Sequence, residues 1–233
     1  MRRAASALLA AFAAALLAAC APAVRERIPA APSVPADFPA AHYQQLIAQG
    51  RPVYRVDPAQ SLVTIEVRRA GSLARLGHDH VVASRDLGGY VAPDEGRADL
   101  YVPLDRLAVD EPKLRSDAGF DTQPSETDIA GTRGNMLEKV LETEKYPFAL
   151  IGASGPARAG EAPLGVAITL HGTRRTLPVP ARIELGDDIV RVSGRLSFDQ
   201  SDFGIAPFSI LGGAIAVRDR VDLRFWITAR RAR

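Results

Sequence analysis

The sequence predicts an all-β domain with one inserted helix, set behind a secretory leader and a tether. Three observations carry this. From Val53 onward apolar residues recur at every second position in one run after another. Clusters of turn residues separate the runs, and one segment, Ser125–Leu141, breaks the period of two. Many short strands over about 180 residues suggest an antiparallel barrel or a sandwich. A closed barrel of about eight strands has room for one small ligand.

The chain has 233 residues and a formal net charge of +2, from 29 basic and 27 acidic residues. Arg2 and Arg3 account for the whole excess, and an apolar run from Ala4 to Ala19, broken by Ser6, follows them. A charged start before an apolar stretch is the pattern of a secretory signal, here spanning residues 1–19. It ends Leu17-Ala18-Ala19-Cys20, small residues before the single cysteine of the chain. This spelling is similar to a lipobox, in which the Cys20 thiol takes a diacylglycerol and Cys20 becomes the new N-terminus. An uncut membrane anchor is the competing reading, but the run is short of the roughly 20 residues that span a bilayer. Acyl chains contribute about 0.8 kcal/mol per buried methylene, so two or three would hold the protein on a membrane durably.

Residues 20–52 are rich in alanine and proline and read as a tether, with a short helix expected around His42–Gln49. The domain, 53–233, follows. Its first clear strand, Ser61–Arg69, places Val63, Ile65 and Val67 on one face and Thr64, Glu66 and Arg68 on the other. Arg97–Leu104 groups Ala98, Leu100, Val102 and Leu104, and Leu164–Leu170 groups Leu164, Val166, Ile168 and Leu170. Thr176–Ile183, Ile189–Phe198 and Arg220–Thr228 continue the series, the last aligning Val221, Leu223, Phe225 and Ile227. In the exceptional segment, Ser125 with Asp128 three residues later is a helix start. Ile129, Met136, Leu137, Val140 and Leu141 then mark its apolar stripe, which Gly131 and Gly134 weaken.

Composition excludes several functions. One cysteine rules out an internal disulfide framework and any multi-thiolate metal site. Without Arg2 and Arg3 the remaining 27 basic residues balance the 27 acidic ones, which gives no support to nucleic-acid binding. There is no nucleophile elbow, no His-Glu-x-x-His pair and no phosphate loop, so no enzyme is expected and no catalytic residue is assigned.

Several blocks of sequence stand in an ordered series. The first is Tyr54-Arg55-Val56-Asp57-Pro58-Ala59-Gln60-Ser61, followed by an alternating strand. Met136-Leu137-Glu138 through Glu142-Thr143-Glu144-Lys145-Tyr146-Pro147-Phe148 comes next, then Ile168-Thr169-Leu170-His171-Gly172-Thr173. Val192-Ser193-Gly194-Arg195-Leu196 and Ser201-Asp202-Phe203-Gly204 complete the order, over about Val53 to Ala229. In this order the blocks resemble the YceI-like family of bacterial polyisoprenoid-binding proteins, and the resemblance implies a lipocalin-like barrel with an apolar tunnel for an isoprenoid chain, typically a quinone or polyprenyl lipid, and a periplasmic address. Lining residues for such a tunnel would be Val63, Ile65, Val67, Leu100, Val102, Ile168, Leu170, Leu223 and Phe225. Asp202-Phe203-Gly204 reads as a turn with a buried aromatic, and His171 as a turn residue bonding local backbone.

Gly77-His78-Asp79-His80 departs from the family pattern. On a strand, His78 and His80 share a face and Asp79 lies opposite. Such a pair is half of a zinc or copper site, with His171 or an acidic residue as a third ligand. It could equally hydrogen-bond a quinone carbonyl or a lipid head group at the tunnel mouth, or simply pack there. The apolar stretch Phe208–Val217 reads either as a loop over the tunnel opening or as core.

The function expected is a lipid-anchored periplasmic protein that binds an isoprenoid or similar amphiphile, for carriage, storage or stress protection. A metal-binding protein or metal-dependent enzyme using His78 and His80 is the alternative, and an accessory lipoprotein with a filled barrel is a third. Ala21 after Cys20 is not the aspartate linked with inner-membrane retention, so the inner leaflet of the outer membrane is the expected address.

Overall fold

The computed structural model describes residues 34–156 and 158–233. The signal segment, Cys20 and the first part of the tether lie outside the described residues. Twelve strands are found among the described residues, and they form one antiparallel sheet closed on itself. The barrel rather than the sandwich is therefore the architecture.

Four of the strands are halves of two bent staves. β1 (Tyr54–Val56) and β2 (Leu62–Ala70) are joined by a short 3₁₀ turn, and β3 (His80–Ser84) and β4 (Gly88–Ala92) by three residues. β2 pairs with β3 and β1 with β4. A third bent stave, β5 (Arg97–Pro103) with β6 (Ala108–Val109), continues the sheet through pairings to β4 and β3. Then come β7 (Phe148–Ser154), β8 (Gly160–Leu170), β9 (Thr173–Leu185) and β10 (Ile189–Asp199), each paired with its neighbour in sequence. The last long strand, β12 (Ile215–Arg231), closes the wall. One edge pairs with β10 from Arg220 to Arg230, while the other pairs with β2 and, farther on, with β1. Closure leaves eight staves and satisfies the backbone on both edges of β12.

The expected strands sit where the alternation put them, and their apolar faces converge on the interior. Thr64 and Glu66, on the outer face of β2, are nevertheless buried. Glu66 accepts from Arg68 at 2.7 Å and faces Arg224 at 3.3 Å, so long basic side chains of the wall cover it.

The helix expected near His42–Gln49 is α1 (Ala40–Ala48), and it belongs to the packed body. Tyr43 is fully buried, stacks on Tyr90 at 5.0 Å and donates from its hydroxyl to Asp99 at 2.7 Å. With Leu46, Val53 and Ala92 it forms a separate outer cluster. The packed body thus includes residues on the N-terminal side of Val53. Proline and alanine mark the absence of periodicity, but one buried aromatic in a two-turn helix is enough to dock it.

Between β6 and β7 lie α2 (Pro112–Asp117) and α3 (Glu126–Asn135). At the start of α3 the Ser125 hydroxyl accepts from Asp128 N–H at 3.2 Å, and Asp128 accepts from Ser125 N–H at 3.0 Å, a reciprocal capping box. The α-helix stops earlier than Leu141. Met136–Val140 winds as a π-turn, with Leu141 N–H bonded to Met136 C=O at 2.8 Å. That wider turn is where Met136, Val140 and Leu141 meet the barrel core.

Candidate functional site

Two cavities hold the residues expected to form the site. The larger has a volume of about 210 Å³ and is lined by apolar side chains with the single exception of Ser84. Alternation builds it: Val63 and Ile65 come from β2, Leu100 and Val102 from β5, Ile168 and Leu170 from β8, and Leu223 and Phe225 from β12. Leu141, just past the π-turn, also lines it. All eight of these strand residues were expected to face a tunnel. The Ser84 hydroxyl is buried there without a hydrogen-bond partner.

The second cavity, about 160 Å³, lies where β2, β3, α3 and the β11–β12 hairpin gather, with β11 being Ser209–Ile210. Val67, His78 and His80 line this mouth rather than the deeper space, together with Arg69, Thr132, Asn135, Met136 and Gln200. His80, Val82 and Ser84 stand at alternate positions of β3, and the first two line the mouth while the third lines the interior. At about 3.3 Å per residue, His80 and Ser84 are roughly 13 Å apart along the stave. Phe208–Val217 forms the hairpin of this rim. Phe208 and Ile215 point into the mouth cavity, while Ile210 and Leu211 are exposed. No residue of the stretch is buried, so it forms a rim and not core.

The two histidines have different surroundings. His80 Nδ1 lies 2.6 Å from Asp110 Oδ2, and Asp110 Oδ1 accepts from Val81 N–H at 3.0 Å and from Arg115 at 2.6 Å. Asp110 is buried and sits at φ 58°, a left-handed conformation that aspartate tolerates better than most residues. Burial pushes its carboxyl upward, but the bonds from His80, Val81 and Arg115 outweigh this and hold it below the usual carboxylate value. Arg115, also buried, donates in addition to Asp79 C=O at 2.6 Å and packs over Phe120. An ionised carboxylate only accepts hydrogen bonds, so the proton in the His80–Asp110 contact belongs to Nδ1. The free nitrogen of His80 is then Nε2.

His78 precedes β3, and its ring meets His80 edge-on with centroids 6.3 Å apart. Its Nδ1 is buried and has no partner. Asp79 points the other way, as alternation predicts, and accepts from Arg69 N–H at 2.8 Å.

The metal reading meets a different geometry. Among the described residues, no group of three or more His, Cys, Asp or Glu side chains could hold an ion. His171, the suggested third ligand, sits at φ 51° in the β8–β9 turn, packs on Tyr146 at 4.5 Å and contacts Glu142 at 2.9 Å. Its partner is thus a distant carboxylate rather than local backbone. Asp110 and Arg115 are the residues that sequence reasoning missed. Asp110 just follows β6 and Arg115 lies on the short α2, segments with no periodicity in the sequence, and only the fold brings them beneath β3.

A closed antiparallel barrel with an apolar interior defines a class of small-ligand binding proteins. The YceI-like domain matches residues 54–229, and the chain belongs to that family. Two solved structures share the fold. A polyisoprenoid-binding domain from Saccharophagus degradans, implicated in plant cell wall breakdown, has 14% identity and a TM-score of 0.57, covering 77% of this chain and 98% of its own. Burkholderia cenocepacia BcnA has 18% identity and a TM-score of 0.53, covering 74% of this chain and 98% of its own. No curated protein matches the chain. Among the described residues no helix is long and apolar enough to cross a membrane.

Proposed function

We propose that this protein binds an isoprenoid or other long amphiphilic lipid inside its barrel, and that it does so in the periplasm while held to a membrane through acylated Cys20. The observation that carries the reading is the interior cavity, whose lining is apolar except for Ser84. A polyprenyl tail is insoluble in water, and each Å² of it moved into such a space contributes about 25 cal/mol. Water gains nothing there, because apolar cavities of this size stay dry. The polyisoprenoid-binding description of the Saccharophagus degradans domain agrees with a tail of this kind. Binding needs no nucleophile or metal, and carriage, storage or protection of a reactive lipid are the uses it suits. The signal pattern and lipobox-like Leu17-Ala18-Ala19-Cys20 support the address, with the inner leaflet of the outer membrane as the expected surface.

Mass spectrometry of an organic extract from gently purified full-length protein tests the binding. A prenyl lipid near one per chain is expected. Protein that carries none, and takes up no prenylated probe after delipidation, would refute it. The anchor has its own test: Cys20→Ser should lose metabolic palmitate label and leave the membrane pellet. Wild-type protein that is soluble and unlabelled would end that part of the proposal.

A further inference from the structure

We infer that the barrel end carrying Leu76, Ile210 and Leu211 is a membrane-contacting tip, which enters the surface of a bilayer that contains anionic lipid. None of the three lines either cavity, so this surface goes beyond the lipid binding proposed above and does not depend on what the barrel holds.

Large apolar side chains scattered singly over a surface are ordinary, whereas a cluster marks a site of contact. Six large hydrophobics are exposed among the described residues, and Leu76, Ile210 and Leu211 are three of them. They stand on two connections that touch. Leu76 ends the 3₁₀ turn between β2 and β3, and Ile210 and Leu211 lie at the bend of the β11–β12 hairpin. Leu73 N–H donates to Ala214 C=O at 2.8 Å, and a Cβ on Gly71 would overlap that same oxygen. Leu211 is 70% exposed and sits at φ 52°, followed by Gly212 at 64° and Gly213 at 89°. Glycine takes this left-handed conformation freely, but a leucine there is strained. A side chain that is both strained and open to water gains nothing within the fold, which points to a use outside the chain.

Charge selects the partner. Residues 68–80 and 208–220 hold five arginines against two aspartates, while the chain beyond Arg2 and Arg3 is balanced as a whole. Asp79 faces Arg68 and Arg69, and Asp219 accepts from Ser201 N–H at 2.8 Å. Arg75 and Arg218, beside the apolar tip, are exposed and make no ion pair among the described residues. Apolar side chains that enter a bilayer next to basic ones at its surface combine burial with attraction to anionic lipid. Three side chains at a bend cover far less than the roughly 800 Å² that each partner of a stable protein pair buries. A bilayer sets no such minimum.

The test reads tryptophan emission from full-length protein with vesicles of phosphatidylethanolamine and phosphatidylglycerol whose acyl chains carry bromine, a contact quencher. Trp226, the one tryptophan of the chain, is exposed on the outer wall and serves as the control. It lies about 26 Å along β12 from Arg218, out of reach of a bilayer at the tip. In Trp226→Phe with Leu211→Trp the quenching should be about threefold greater than in wild type, and Leu76→Trp in the same background should behave alike. Adding Arg75→Glu and Arg218→Glu should return it toward the wild-type level, as should vesicles of brominated phosphatidylcholine alone. Quenching at positions 76 and 211 no greater than at Trp226 overturns the tip. Quenching that survives both the arginine changes and the neutral vesicles overturns the anionic bilayer as its partner. A blue shift that needs no vesicles and grows with protein concentration assigns the patch to a second copy of the chain and also overturns the inference.

Discussion

Filling the interior with a tail should stabilise the barrel by an amount set by the cavity itself. Empty volume in a protein core costs about 24 cal/mol per Å³. The 210 Å³ interior therefore represents about 5 kcal/mol that an occupant can recover. For a domain of this size about 1 kcal/mol moves the melting temperature by 2–4 °C, so saturation should raise it by roughly 10–20 °C. The perturbation is delipidation followed by reloading with geranylgeranylhydroquinone dimethyl ether, whose head cannot donate and which therefore reports on the tail. Thermal unfolding followed by circular dichroism is the assay. Ala149→Leu supplies the control, because Ala149 lines the cavity and a larger side chain there occupies the same space from the protein side. That variant should melt higher than wild type without lipid and gain less on loading. Delipidated wild-type protein that already melts at the loaded temperature, with Ala149→Leu making no difference, would refute the reasoning that the cavity is real and available.

Other consequences follow from particular contacts. Asp110→Ala leaves the buried Arg115, and the partly buried His80, without their carboxylate and should cost about 3–5 kcal/mol in urea unfolding, whereas an unchanged midpoint would mean the cluster contributes nothing. Because the folded Asp110 carboxyl titrates below its ordinary 3.8, its stabilisation is present above that pH and is lost as pH falls through the folded value. Urea midpoints measured downward from pH 5 should then drop more steeply in wild type than in Asp110→Asn, and parallel curves would count against this. A Cβ on Gly194 would lie 2.6 Å from Pro180 C=O and 2.7 Å from Phe225 Cζ. Gly194→Ala should therefore cost about 1–3 kcal/mol and, by displacing Phe225 in the cavity wall, weaken uptake of the same ether probe. Wild-type values for both would show that the wall yields there.

The barrel was legible in the sequence because a strand announces its faces. Val63 with Ile65, Ile168 with Leu170 and Leu223 with Phe225 repeat at two, and a closed sheet must turn one such face inward. The α3 start was legible for a similar local reason, since Ser125 and Asp128 satisfy each other within one turn. The same alternation placed His78 and His80 together, although which other groups would join them was not written there. Asp110, with no pattern around it, reaches His80 across 30 positions of sequence, and His171 finds Glu142 across 29. The helix at Ala40–Ala48 was visible, but its docking through Tyr43 onto Tyr90 and Asp99 was not.

What the sequence determined by itself is the alternation that makes a wall with one apolar face, the family blocks that order it, and the charge pattern that points to export. Those are local properties, fixed by residue type and by the period of the backbone. Only the tertiary structure decided that the wall closes, because closure requires both edges of β12 to find partners at opposite ends of the chain. It also divided the interior, placing Val67 with the histidines and Val63 with the apolar space, since depth along a stave is set by which loops and helices cover its end. The surroundings of His80 were decided in the same way, by a carboxylate and an arginine that chain folding delivers from behind the strand.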